Sequence, residues 1–175
     1  MAAYQFVKKM GGDIGNLRVS SSAIEFDLLT ESKEVMERAL LMLTGQFGQA
    51  ITVRELDVPT SAPSSVNAIH DGLALFNEER YWESHESLEL AWRNLTEPER
   101  DILQGIILLA ASFVHVQKDE EDIALSVMRR ANIKLPEEGT MFNIDLAELK
   151  RRVNAVLAGK RPFFFRIPCV DRAES

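Results

Sequence analysis

The most informative part of the chain runs from Phe76 to Arg93 and reads FNEERYWESHESLELAWR. It holds both tryptophans of the chain around a His-Glu-x-x-Glu run. On a helix of about 3.6 residues per turn, one apolar arc carries Tyr81, His85, Leu88, Trp92 and Leu95, with Glu89 at its edge. An imidazole within an apolar arc must be hydrogen-bonded, ion-paired or metal-bound. The stretch therefore predicts an amphipathic helix that carries the chain's one site-like pattern.

Composition and charge narrow the class of protein. The 175 residues are 46% apolar and 27% charged, which is ordinary globular usage and argues against disordered and fibrous proteins. The formal net charge is −7 and is unevenly spread: residues 63–142 carry 7 Lys/Arg against 15 Asp/Glu. An acidic chain of this kind is not expected to bind nucleic acid in general.

Cysteine usage and hydropathy indicate the compartment. A lone Cys169 excludes an internal disulfide framework and fits a reducing environment. The first ten residues lack the apolar core of a secretory signal. The longest apolar run, residues 105–114, is about half the length of a membrane crossing. We therefore predict a cytoplasmic protein without a membrane span.

A change in hydrophobic period divides the chain. Residues 58–65, VPTSAPSS, contain two prolines and four hydroxyl residues without an apolar pattern, which is typical of a linker. The predicted organisation is α+β overall, with a small α/β unit over residues 1–57, an all-helical domain over 66–158 and a C-terminal tail over 159–175.

In the first unit, apolar and polar residues alternate as they do in the strands of a half-buried sheet. Apolar and polar residues alternate over 24–28 and again over 51–53, and a helix opened by Ser32 lies between them. A further strand is predicted over 17–20, either turning through the serines that follow or continuing through them. With a short helix predicted over residues 4–10, the order helix, strand, strand, helix, strand matches most of a ferredoxin-like split βαβ sandwich that lacks its first strand.

In the second unit, apolar residues recur with the period of an α-helix. Their spacing predicts about five helices. The third is apolar nearly all round, so it is expected to lie at the centre. Thr96 with Glu99 forms a capping box before this helix. Asp119 and Asn143 are the expected caps of the fourth and fifth helices.

Several short blocks carry a resemblance to a known family. They are Phe76-Asn77, Tyr81-Trp82-Glu83, His85-Glu86, Leu88-Glu89, Trp92-Arg93, Leu103-Gln104-Gly105-Ile106 and Asp145-Leu146. Together they resemble the helical family called domain of unknown function 309, over roughly residues 66–158. The resemblance implies a small all-helical array of bacterial and archaeal proteins without an established activity. The chain departs from the family pattern at Asn94-Leu95-Thr96, where a small residue or glycine is usual.

The candidate polar cluster admits two interpretations, and we assign no catalytic residue. Its members are Tyr81, Trp82, His85, Glu86, Glu89, Trp92, Arg93 and Gln104. In the first interpretation, they form a buried hydrogen-bonded network that fixes helix register. In the second, His85 and Glu89, four residues apart, bind a divalent metal with His70 as a third ligand and Glu86 as a base.

The first interpretation predicts a non-catalytic binding or interaction module. The sequence favours such a module over an enzyme. The alternative is a metal-dependent hydrolase that uses the His85-Glu86-x-x-Glu89 run, with a divalent metal as its cofactor. A protein partner or self-association is compatible with the apolar run KRPFFFRIP at residues 160–168, which we expect to pack on the protein itself or on a partner subunit.

Overall fold

The computed structural model describes residues 7–9, 11–21, 23–50, 53 and 65–170. The chain divides into two compact units, Met1–Ser61 and Ala62–Ser175. Strands and a helix in the first unit, followed by a mostly helical second unit, confirm the predicted α+β class.

The first unit contains a β-hairpin and a helix. Strands β1 (Gly12–Val19) and β2 (Ile24–Thr30) pair antiparallel, with an irregular register between Gly15 and Arg18. The serine run turns the chain, because the Ser20 hydroxyl accepts a hydrogen bond from the Ala23 backbone nitrogen at 2.9 Å. Of the two alternatives for the serine run, the turn is therefore the observed one.

Helix α1 (Lys33–Phe47) begins after Ser32, whose side chain accepts a hydrogen bond from the Val35 nitrogen, as predicted for this cap. A small core forms from Val7, Ala39 and Leu43, with partly buried hydrophobic side chains of the hairpin and the helix around it. The strand predicted over 51–53 and the linker predicted over 58–65 fall almost entirely on residues outside the described ones, so the ferredoxin-like completion stays a prediction.

The described part of the second unit contains five helices. They are α2 (Ser65–Asn77), α3 (Tyr81–Trp92), α4 (Glu99–Gln117), α5 (Glu121–Lys134) and α6 (Leu146–Gly159). Helix α4 is the most buried of them and contacts both α3 and α5, which agrees with its apolar character on nearly every side. None of the described helices is long and apolar enough to cross a bilayer.

Helices α2 and α3 approach each other closely. A β-carbon added at Gly72 would lie 2.6 Å from the Leu88 side chain, so only glycine allows this approach. The Ser84 hydroxyl donates to the Gly72 carbonyl at 2.8 Å, and the Ser87 hydroxyl donates to the Ala68 carbonyl at 2.9 Å. Small residues and two hydroxyl groups therefore fix how α3 is rotated against α2.

Three predicted helix caps are wrong. Helix α4 begins at Glu99 after Pro98, without a side-chain cap, and Thr96 is exposed. Glu120, not Asp119, precedes α5. Helix α6 is capped by Asp145, whose carboxylate accepts from the Glu148 nitrogen at 2.9 Å.

The cap of α6 differs from prediction because an additional hairpin precedes this helix. Strands β3 (Thr140–Met141) and β4 (Ile144–Asp145) pair antiparallel, and Asn143 lies in their turn with a φ of 62°. Asn143 therefore occupies a turn position with left-handed backbone conformation, which asparagine tolerates. Asp145 takes the capping position instead.

The described part of the predicted tail, up to Val170, packs on the second unit. Helix α6 ends at Gly159, and the segment that follows lies against the helical core with Ile167 only 3% exposed. The Asp145 nitrogen donates to the Pro168 carbonyl at 3.0 Å, and the Val170 nitrogen donates to the Asn143 carbonyl at 2.9 Å. We refer to residues 162–170 as the C-terminal segment.

We predict that Gly72→Ala lowers the free energy of unfolding of the chain by about 1–3 kcal/mol, the usual cost of overpacking a close contact. Its matched control is Gly159→Ala at the end of α6, where an added β-carbon meets no atom within 4 Å. The control is expected to change the same quantity by less than about 1 kcal/mol. Urea denaturation followed by circular dichroism measures both, and equal effects would contradict the close approach.

Candidate functional site

The face of α3 that meets the core shares Tyr81 and Leu88 with the predicted apolar arc, but it is centred nearer to Ser84 than to His85. The buried residues are Tyr81, Ser84, Leu88 and Ala91. His85 lies about 100° around the helix from Ser84 and therefore points away from the centre of the buried face. Its side chain is 24% exposed and that of Glu89 is 47% exposed.

His85 lies in a partly exposed group with an aromatic neighbour. The rings of Trp82 and His85 stack with centroids 5.9 Å apart and planes within 7° of parallel, and Trp82 is 40% exposed. The His85 Nε2 atom is 3.9 Å from the Glu89 Oε1 atom, which is longer than a hydrogen bond. Trp82 and His85 therefore form a partly exposed stack beside a carboxylate, whereas the sequence predicted a buried cluster. Below, the "α3 face" means Trp82, His85, Glu86 and Glu89.

The remaining members of the predicted cluster lie elsewhere. Trp92 joins α3 to α4: its indole nitrogen donates to the Arg100 carbonyl at 3.1 Å, and the Arg100 guanidinium lies 4.2 Å from the ring centroid. Arg93 is exposed just after α3. Gln104 is half-buried on α4, and no hydrogen bond joins it to His85 in the described part of the chain. The sequence-predicted cluster therefore splits into separate contacts.

The proposed metal ligands do not converge. His70 is 85% exposed on α2, with its Nδ1 atom 3.5 Å from the adjacent Asp71 carboxylate. Among the described residues, no group of three His, Cys, Asp or Glu side chains is arranged to hold a metal ion. His85 and Glu89 form a pair without a third ligand there.

Tyr81 belongs to an aromatic cluster. The centroid of its ring lies 5.1 Å from that of Phe76, 4.9 Å from that of Phe113 and 5.4 Å from that of Phe164. The ring of Phe165 lies near those of Phe76 and Phe113. Edge-to-face and tilted ring pairs at such distances add stability beyond the area that they bury. Burial raises the pKa of the Tyr81 hydroxyl well above its usual value, and the nearby Glu79 carboxylate raises it further.

Asn77 ties the C-terminal segment to the aromatic cluster. Its side-chain oxygen accepts a hydrogen bond of 2.7 Å from the backbone nitrogen of Ile167, which is ninety residues further along the chain. The Arg152 guanidinium donates to the Arg166 carbonyl at 2.7 Å from the other side. These contacts seat Phe164 and Phe165 against α2, α3 and α4.

Sequence reasoning missed the structural roles of Asn77 and Ser84, and it left open whether the C-terminal phenylalanines pack on the protein itself or on a partner subunit. The signal for Asn77 was present, since Phe76-Asn77 is one of the blocks that carry the family resemblance. Ser84 is three residues after Tyr81 and four before Leu88, a spacing that places it on the same helix face as these two buried residues. Because serine is polar, the hydropathy pattern did not assign it to the buried face.

Comparison with known families agrees with the resemblance in the sequence. Residues 69–127 match the family model described as Domain of unknown function (DUF309), which confirms the predicted recognition over this range. The match covers α3 and α4, all but the first turn of α2 and the first part of α5. No curated protein matches the chain.

We predict that Tyr81 makes stability fall at high pH. Its folded-state pKa is raised, so its contribution to stability is complete below the unfolded pKa near 10 and is lost as the pH rises above that value. Each pH unit beyond it costs about 1.4 kcal/mol. Urea denaturation of wild type and Tyr81→Phe on both sides of this pH measures the effect. The loss should be smaller in the variant, and parallel curves would refute the assignment to Tyr81.

Proposed function

We propose that the second unit is a non-catalytic binding module and that its α3 face contacts a basic segment of a partner protein. The observation that carries the proposal is the parallel stack of Trp82 on His85 at the protein surface. A tryptophan is costly to expose, and aromatic residues are enriched in the energetic centres of protein interfaces.

The charges around the stack favour a basic partner. Glu86 comes one helical turn after Trp82, and Glu89 one turn after His85. Residues 63–142 carry more than twice as many acidic as basic residues. Complementary charge steers association and suppresses partners of the wrong sign. Self-association through this face would instead bring like charges together.

The aromatic surface favours a guanidinium group on that partner. An arginine side chain binds well over the face of an indole ring, because the ring quadrupole attracts the cation. The protein uses this pairing internally, where the Arg100 guanidinium lies over Trp92 at 4.2 Å. Trp82 is 40% exposed, and the Glu89 carboxylate beside the stacked His85 can bind a guanidinium edge.

The alternative of a metal-dependent hydrolase has less support. Hydrolytic metal sites commonly use three protein ligands and leave one position for water. His85 and Glu89 supply two candidate ligands, and the exposed His70 belongs to a different helix. The binding function needs only the groups that lie together on the α3 face.

The test is binding of a fluorescent arginine-rich peptide, measured by anisotropy against a peptide of the same length in which glutamate replaces arginine. Wild type should bind the basic peptide alone. Trp82→Ala should weaken binding about 5-fold to 30-fold, the loss of a partly desolvated cation–π contact. Glu86→Gln and Glu89→Gln should each weaken it less and reduce its dependence on salt.

Asp122→Asn is the matched control, because this exposed carboxylate lies on α5 away from the α3 face. It should leave the affinity unchanged. Full affinity in Trp82→Ala, or an equal loss in Asp122→Asn, would show that binding is general charge attraction rather than recognition by the α3 face.

A further inference from the structure

Charge is segregated within the second unit. Residues 63–128, which include α2, α3 and α4, carry 4 Lys/Arg against 13 Asp/Glu. Residues 129–166 carry 9 Lys/Arg against 4 Asp/Glu. The α3 face belongs to the acidic part, so the same unit also contains a part of the opposite charge.

The basic part presents a compact group on α5. Arg129, Arg130 and Ile133 are exposed, Ile133 at 82%, and helix geometry places Ile133 between the two arginines within an arc of about 100°. Neither guanidinium forms an ion pair or a hydrogen bond with the described residues. Lys134 differs, since it pairs with Asp101 of α4 at 2.5 Å. Below, the "α5 face" means Arg129, Arg130 and Ile133.

The α5 face and the α3 face have complementary chemistry. The four residues of the α3 face also fall within an arc of about 100° on their helix. One guanidinium of the α5 face can lie over the Trp82 ring, and the other can bind the Glu89 carboxylate. Ile133, between the arginines, supplies an apolar side chain to cover the indole. Tryptophan and arginine are the residue types that most often dominate the energy of an interface.

The two faces do not meet within one copy of the chain. Helices α3 and α5 each pack on α4, and the guanidinium groups of the α5 face have no partner in the described part of the chain. A contact between the faces therefore requires a second molecule. Two α3 faces would repel each other, and so would two α5 faces, whereas a head-to-tail contact joins opposite charges.

We propose that the basic partner of the α3 face is the α5 face of a second copy of this chain, so that copies associate head to tail. This inference rests on the proposed function, because it names the partner of the same face. Each copy carries both faces, so association either closes into a ring or extends with rising concentration.

The first experiment is sedimentation velocity of the full chain over a concentration series, at about 20 mM and about 500 mM NaCl. At low salt the average mass should rise above that of the monomer, and at high salt it should return to the monomer because salt screens the opposite charges. The arginine-rich peptide should also restore the monomer, since it occupies the α3 face.

The second experiment is complementation between two variants. Trp82→Ala disables the α3 face and Arg129→Glu/Arg130→Glu disables the α5 face, so each alone should associate at least about fivefold more weakly than wild type. Their equal mixture contains one intact face of each kind and should form a dimer that grows no further. Glu89→Lys, at an exposed carboxylate, replaces Trp82→Ala should that variant not fold.

The matched control is Lys33→Glu/Arg38→Glu, which makes the same change in net charge at two exposed residues of α1 in the first unit. It should associate as wild type does. A wild type that binds the peptide but stays monomeric at every concentration would overturn this inference and leave the proposed function standing. A wild type that binds no peptide would refute the proposed function itself. Undiminished association of Arg129→Glu/Arg130→Glu alone would also overturn the head-to-tail contact.

Discussion

The close approach of α2 and α3 at Gly72 is the constraint on which the second unit depends. Leu88 fills the space that a β-carbon at Gly72 would occupy. Hydrogen bonds from Ser84 and Ser87 to the α2 backbone then fix the rotation of α3. These contacts satisfy hydroxyl groups that would be costly to bury alone, so the polar groups support the packing instead of opposing it.

The rotation of α3 creates two surfaces with different chemistry. Tyr81 is turned inward, where it joins Phe76, Phe113 and the phenylalanines of the C-terminal segment. Trp82 and His85 are turned outward and stack beside Glu89. One helix therefore supplies both a buried ring of the aromatic cluster and the acidic aromatic face that we assign to a basic partner.

The sequence predicted the positions of the helices but not all of their caps, three of which are wrong. Apolar spacing predicted the five helices and the central place of α4, and Ser32 was identified as a cap. It did not predict the rotation of α3, because hydropathy counts Ser84 as polar and His85 as part of an apolar arc. The contact of Asn77 with Ile167 joins residues ninety positions apart, and no local pattern reports such a pairing.

Thiol labelling measures the rotation of α3 most directly. Cysteine is placed at position 84 or position 85 in a Cys169→Ser background, and the rate of modification is compared with that of the unfolded chain. We expect Ser84→Cys to react only when the helices open, because Ser84 is fully buried, and His85→Cys to react in the folded state. Similar rates at the two positions, or faster labelling at position 84, would contradict the account.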